Sequence, residues 1–371
     1  MENEQPCTAV RLDTGPELAA ALPQLLGFVP EESLVLVALT GSRATRVGVT
    51  LRVDLPGPDD ASALATDVVA RLGPEPPAAV VALVVTEASD VPAEVDLDAL
   101  SDVPLHALDP VGLRLLRTAG ADLPGRGVVR AVGGVLADAG VPLLAALLVR
   151  GGRCWDYDCA DPCCDPGAGR PLPGGTSALA VASVVDGRVV AADRAELVAR
   201  LAPATGVAAL AMGRACSVVG AGQAEALHRL GWEAVAAESW RLVQGAVAAG
   251  RHLTDEAVAR LGWALTETEV RDQALALGAG PTAAAAEALW TELVRRLPAP
   301  LDAAPATLLA ATAWARGDGT TAGVALDRAL ASQPGYRLAQ LLRQGLTAGL
   351  PPSAVRELAG WARPRSEQLG A

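Results

Sequence analysis

Short apolar runs alternate with amphipathic stretches in the first half of the chain and give way to helical texture in the second. Ser33–Leu39 (SLVLVAL) and Arg46–Leu55 (RVGVTLRVDL) have the length and composition of strands, and the short connection through Gly41 and Ser42 predicts a hairpin. Pro56–Asp60 supplies turn and cap residues ahead of a predicted helix, Ala61–Leu72. Ala78–Thr86 is rich in valine and predicts a strand buried on both faces. Val111–Ala119 and Arg126–Ala139 read as helices, and Pro142–Arg150 returns to strand. Ser177–Val185 and Arg188–Ala191 predict a helix end and a strand pair around Asp186-Gly187, with a helix at Asp193–Leu201. Strands alternating with helices predict an α/β domain with a mixed sheet, here residues 1–221.

Residues 222–371 read instead as an all-α domain of alanine- and leucine-rich helices. The predicted helices are Gln223–Leu230, Glu233–Ala249, Thr254–Leu265, Glu267–Leu277, Thr282–Leu297, Ala306–Ala315, Thr320–Ser332 and Tyr336–Ala348, punctuated by Gly and Pro. Six of the seven tryptophans fall here, where large rings fill gaps between small residues. Ala322, Leu326, Ala329 and Pro334 match the small–large–small–Pro spacing of the second helix of a tetratricopeptide repeat. The pattern predicts a tetratricopeptide-like hairpin, turned by Arg316-Gly317-Asp318-Gly319.

Composition narrows the chemistry. The 371 residues contain no lysine, so all 30 basic side chains are arginine. That excludes a Schiff-base or pyridoxal-phosphate anchor, a Ser-Lys dyad and the phosphate-binding lysines of P-loop enzymes and kinases. Each of the three histidines, His106, His228 and His252, reads as a surface or satisfied residue. The net charge is −12, divided as −11 over residues 1–224 (27 acidic, 16 basic) and −1 over 225–371 (15 acidic, 14 basic). Such a balance argues against nucleic acid as a partner. Residues 1–11 carry no apolar signal core, and apolar runs such as Ala78–Val85 and Val141–Val149 are too short to span a bilayer. The expectation is a cytoplasmic protein without membrane contact, its six cysteines mostly reduced.

One segment stands out, the cysteine-rich loop 153–167, RCWDYDCADPCCDPG. Three readings compete. Zinc would use Cys159, Cys163 and Cys164, with Cys154 or an aspartate completing the set. The C-x4-C-x3-C-C spacing differs from a C-x2-C knuckle, and neighbouring cysteines reach one metal only with strain. A redox pair would need a thiolate favoured by Arg153 but opposed by Asp156, Asp158, Asp161 and Asp165. The third reading is a loop of small buried thiols. Elsewhere, Gly220-Ala-Gly222-Gln-Ala-Glu225 follows an apolar run as a dinucleotide loop would, though Glu225 opposes a pyrophosphate. Arg52 and Asp54 straddle Val53 on a predicted strand, so they share a face as an ion pair or as part of a cleft lining.

Four motifs in order, LLGFVPEESLVLVAL (25–39), LRVDLP (51–56), RCWDYDCADPCCDPGAGRPL (153–172) and PATLLAATAWARGDGTTAGVALDRALASQPGYRLAQLL (305–342), resemble the domain-of-unknown-function 4192 family of high-GC bacteria. Arg153, Trp155, Tyr157, Cys159, Cys163 and Cys164 match its pattern. The family more often has an aromatic at the place of Cys154 and a serine at Asp156, which leaves three thiols for any shared site. The resemblance implies a cytoplasmic location and this architecture, but no reaction.

Two functional expectations follow. One is a non-enzymatic interaction or regulatory protein, with a protein partner on the helical C-terminal domain and a structural or redox-sensitive cysteine loop. The other is a small-molecule enzyme with a cleft lined by Arg52, Asp54, Arg153, Tyr157 and a thiol.

Overall fold

The computed structural model describes residues 11–12, 14–92, 103–118, 120–175, 177–185, 189–250 and 253–361. Cys7, His252, Arg188 and the Asp186-Gly187 turn lie outside the described residues. The chain divides into two compact units, Met1–Arg194 and Ala195–Ala371. The expected division at 221/222 falls inside one continuous helix, Gly206–Leu230.

The first unit is built on a six-stranded mixed sheet. Its strands are β1 (Ser33–Thr40), β2 (Arg46–Asp54), β3 (Ala79–Val85), β6 (Leu143–Arg150), β7 (Arg153–Asp156) and β8 (Arg170–Pro171), in the order β2-β1-β3-β6-β7-β8. The short strands β4 (Val91–Pro92) and β5 (Ala121–Asp122) pair separately. Of the neighbours in this sheet β3 and β6 run parallel and the others antiparallel, β1–β2 and β6–β7 as tight hairpins and β1–β3 across β2 and a helix. The central strands β1 and β3 are almost wholly buried, which explains why both are unbroken apolar runs.

Alternation divides the sheet into two faces. Leu34, Leu36, Ala82, Val84, Ala146, Leu148 and Trp155 pack with residues of the helices Ala61–Ala70 and Arg126–Asp138 in one core. The helix Gly15–Leu26 packs against β2, β6 and β7, with Gly15 lying on the Leu147 side chain. The sequence reading missed this helix. Its signal was a capping box: Thr14 Oγ1 accepts from the Glu17 N–H, and Glu17 accepts from the Thr14 N–H.

The second unit is helical. Every residue of Ala303–Ala315 is buried, so this helix is enclosed on all sides and almost wholly apolar. Its two threonines satisfy themselves: Thr307 Oγ1 donates to the Ala303 carbonyl at 2.7 Å and Thr312 Oγ1 to Leu308 at 2.8 Å. The helix Gly319–Ser332 packs against it across the turn at residues 316–318, with Ala322, Leu326 and Ala329 fully buried.

All six residues of Gly220–Glu225 lie inside the helix Gly206–Leu230, so they form no dinucleotide loop, in line with the objection that Glu225 raised. A Cβ on Gly220 would come within 2.5 Å of the Trp263 ring, and Trp263 Nε1 donates to the Cys216 carbonyl at 2.8 Å. This glycine lets an indole close on a helix backbone. The helix has a mean hydropathy of 1.2 over its most apolar window, of which only 11% is buried. Among the described residues it alone is long and apolar enough to cross a membrane, although it carries Arg214 and Glu225 and buries Met212 and Cys216 against its neighbours.

Candidate functional site

Strand β7 supplies the frame of the cysteine loop. Its alternation turns Trp155 into the apolar core and Cys154 and Asp156 to the other face. Trp155 Nε1 donates to the Asp165 carbonyl at 3.1 Å, which draws the far end of the loop back over the strand. Gly169 lies against the indole at φ +70°, where a Cβ would be 2.5 Å from two ring atoms. Arg153 donates from Nε to the Ala168 carbonyl and from Nη2 to that of Gly169, each at 2.7 Å. Arg150 stacks over the Trp155 ring at 4.9 Å. The loop is therefore a closed, internally bonded structure.

Two buried arginines hold its other side. Arg114, fully buried, pairs with Asp122 at 3.2 Å and donates from Nη1 to the carbonyls of Asp156 (3.3 Å) and Cys159 (3.5 Å). Arg126 Nε donates to the same aspartate, and its Nη2 to the Tyr157 carbonyl at 3.2 Å. Burial pushes the Asp122 carboxyl above the usual carboxylate range, against the pull of the Leu123 N–H and Arg114. Arg117 binds the Asp165 carboxylate bidentately.

Within this frame three thiols converge. The Sγ atoms of Cys159, Cys163 and Cys164 all lie within 4.8 Å of one another, and those of Cys163 and Cys164 are 3.9 Å apart. A tight turn at Pro162–Cys164 lets the neighbouring cysteines point together. The Asp156 N–H donates to Cys164 Sγ at 3.3 Å, and Arg170 donates to Cys163 Sγ from Nε at 3.4 Å and Nη2 at 3.2 Å. The thiols differ as a result. Hydrogen bonding to Arg170 holds the Cys163 thiol below its ordinary pKa, whereas burial pushes Cys164 up to about 12. Cys154 is also pushed up to about 12 by burial, and its sulfur is directed to the Trp155 carbonyl, outside the cluster. Three clustered thiols of this kind could hold a metal ion.

The remaining candidates lie elsewhere or are engaged. Tyr157 is fully buried, its hydroxyl donates to the Pro124 carbonyl, and burial raises its pKa. Arg52 pairs with Asp54 at 2.6 Å and donates to Ser33 Oγ at 2.7 Å and the Glu31 carbonyl at 3.2 Å. Strand register sets its distance from the loop. Arg52, Val35, Leu83, Leu147 and Asp156 form one row across the sheet. Arg52 and Asp156 are therefore four strand spacings apart, about 19 Å. The sheet does not bring Arg52 and Asp54 to the thiols. His106 and His228 are exposed.

Sequence reasoning missed Arg114, Asp122, Arg126 and Arg170. Arg170, which ends the stretch RCWDYDCADPCCDPGAGR, is the arginine that meets a thiol, whereas Arg153 binds backbone carbonyls. A cavity of about 560 Å³ in the helical unit was also unexpected; Arg214, Gln223, Val235, Ser239 and Arg260 help to line it.

A family-wide comparison matches residues 16–353 to the family described as Domain of unknown function (DUF4192). The chain belongs to that family. No curated protein and no solved structure matches it.

Proposed function

We propose that the protein is a non-catalytic interaction protein whose α/β unit is stapled at its sheet edge by zinc on Cys159, Cys163 and Cys164. The observation that carries this reading is the spacing of the sulfurs. Zinc–thiolate bonds of about 2.3 Å in a tetrahedron put neighbouring sulfurs about 3.8 Å apart. Cys163 and Cys164 stand at 3.9 Å, and Cys159 joins them within 4.8 Å. Charge supports the same reading: three thiolates and a divalent ion leave one negative charge beside the Arg170 guanidinium. The apolar residues Val207, Leu210 and Val218, at 82%, 70% and 74% exposure on the helix Gly206–Leu230, support a partner surface in the helical unit.

The enzyme alternative has less support. Arg52, Arg153 and Tyr157 each have partners within the α/β unit, and a row of apolar residues separates Arg52 from the loop. Dialysis against a chelator, followed by limited proteolysis, tests the zinc staple. Removing zinc should expose the 153–171 segment to cleavage, and restoring it should protect the segment again. Cleavage indifferent to zinc would refute the staple.

A further inference from the structure

Among the described residues the thiol triad offers three ligands. Among the described residues no other histidine, cysteine, aspartate or glutamate side chain joins the three sulfurs. Of the alternatives close in sequence, Asp158 and Asp161 are exposed and stand outside the cluster, and three others are otherwise occupied. Cys154 directs its sulfur to the Trp155 carbonyl, and the Asp156 carboxylate accepts the Asp158 N–H at 2.9 Å. The Asp165 carboxylate is held by Arg117. Closed structural zinc sites draw all four ligands from the protein, whereas three-ligand sites keep one position for water or an incoming ligand.

The cluster also has a wet side and a dry side. Cys164 is buried, while Cys159 and Cys163 are half-exposed. An ion seated on the three sulfurs would thus meet solvent on the Cys159–Cys163 side, beside the exposed Arg170. Thiolates are soft donors and favour soft ions, and an added thiolate would bring negative charge to a place where a guanidinium already stands.

We infer that the zinc on this triad keeps its fourth position open to a thiolate from another molecule. This inference rests on the zinc reading above and adds the class of ligand that the site accepts. Binding is ligand exchange: the thiol loses its proton to solvent, its sulfur replaces a water on the metal, and no electron is transferred.

Cobalt(II) substitution in the full chain tests it, because the visible spectrum reports the ligand set. With 2-mercaptoethanol as probe under anaerobic conditions, the cobalt bands should shift and the sulfur-to-metal charge-transfer band should intensify. Cobalt should stay with the protein through gel filtration. Cys154→Ser, Asp158→Asn and Asp161→Asn should each leave the starting spectrum unchanged. A wild-type spectrum indifferent to the thiol, or one altered by any of these substitutions, would mean that the chain itself fills the fourth position, and would overturn the inference while leaving the metal site intact. Failure to bind cobalt or zinc at all would overturn both this inference and the zinc reading.

Discussion

The Arg170 guanidinium directs two N–H groups at a single sulfur, that of Cys163, from 3.4 and 3.2 Å. Hydrogen bonds to an anion favour the anion, so this contact lowers the Cys163 thiol pKa from its ordinary value. The thiolate then persists to lower pH than in a free thiol and is lost as pH falls through the depressed value. In metal-free protein, Arg170→Gln should move the pH profile of Cys163 alkylation upward. Mass spectrometry of the alkylated peptide reads this directly, and an unmoved profile would show that the contact has no electrostatic effect.

The Arg114–Asp122–Arg126 cluster is a buried ionic network with one carboxylate between two guanidiniums. Removing the carboxylate leaves two buried cations without their anion. Asp122→Ala should therefore cost about 3–5 kcal/mol, measured as a fall in the urea midpoint of the α/β unit. A loss below 1 kcal/mol would mean that water reaches the cluster.

Two glycines of one helix should behave in opposite ways. Gly220 faces the Trp263 indole at a distance no real Cβ accepts, whereas Gly222 has open space around its Cβ position. Gly220→Ala should destabilise by about 1–3 kcal/mol through overpacking. Gly222→Ala should stabilise by roughly 0.5–1 kcal/mol through helix propensity. Thermal denaturation of the two variants side by side checks the pair, and equal effects would contradict the packing assigned to Trp263.

Leu210 and Val218 are largely exposed, so the double variant Leu210→Asp, Val218→Asp should keep the wild-type unfolding free energy to within about 1 kcal/mol. The same variant should lose a stoichiometric partner that the wild-type chain captures. Equal capture by both proteins would remove this helix face from the proposed interface.

Much of the fold could be read from local pattern. The runs SLVLVAL and AVVALVV have strand length and composition, and Gly and Pro mark the helix ends of the second unit. The reading failed where a signal depends on a distant residue. Glu225 already argued against a phosphate loop at Gly220 and Gly222, but the reason for Gly220 lies in Trp263, some forty positions on. The candidate site divides in the same way. The crowding of cysteines in one loop pointed to Cys159, Cys163 and Cys164, although their spacing is not that of a knuckle, and the turn at Pro162–Cys164 is what lets the neighbouring pair point together. The choice between Arg153 and Arg170 could not be made locally, since it depends on β7 pairing with β8, which sets Arg170 beside Cys154. The distance from Arg52 to the loop likewise depends on strand order, which alternation along one strand does not encode.

Zinc analysis combined with thiol titration, on protein purified anaerobically in its native state, is the sharpest test of the zinc staple. About one zinc per chain is expected, with Cys159, Cys163 and Cys164 protected from alkylation until a chelator is added. Metal-free protein whose Cys159 and Cys163 react freely, and which takes up no zinc when offered it, would rule the staple out.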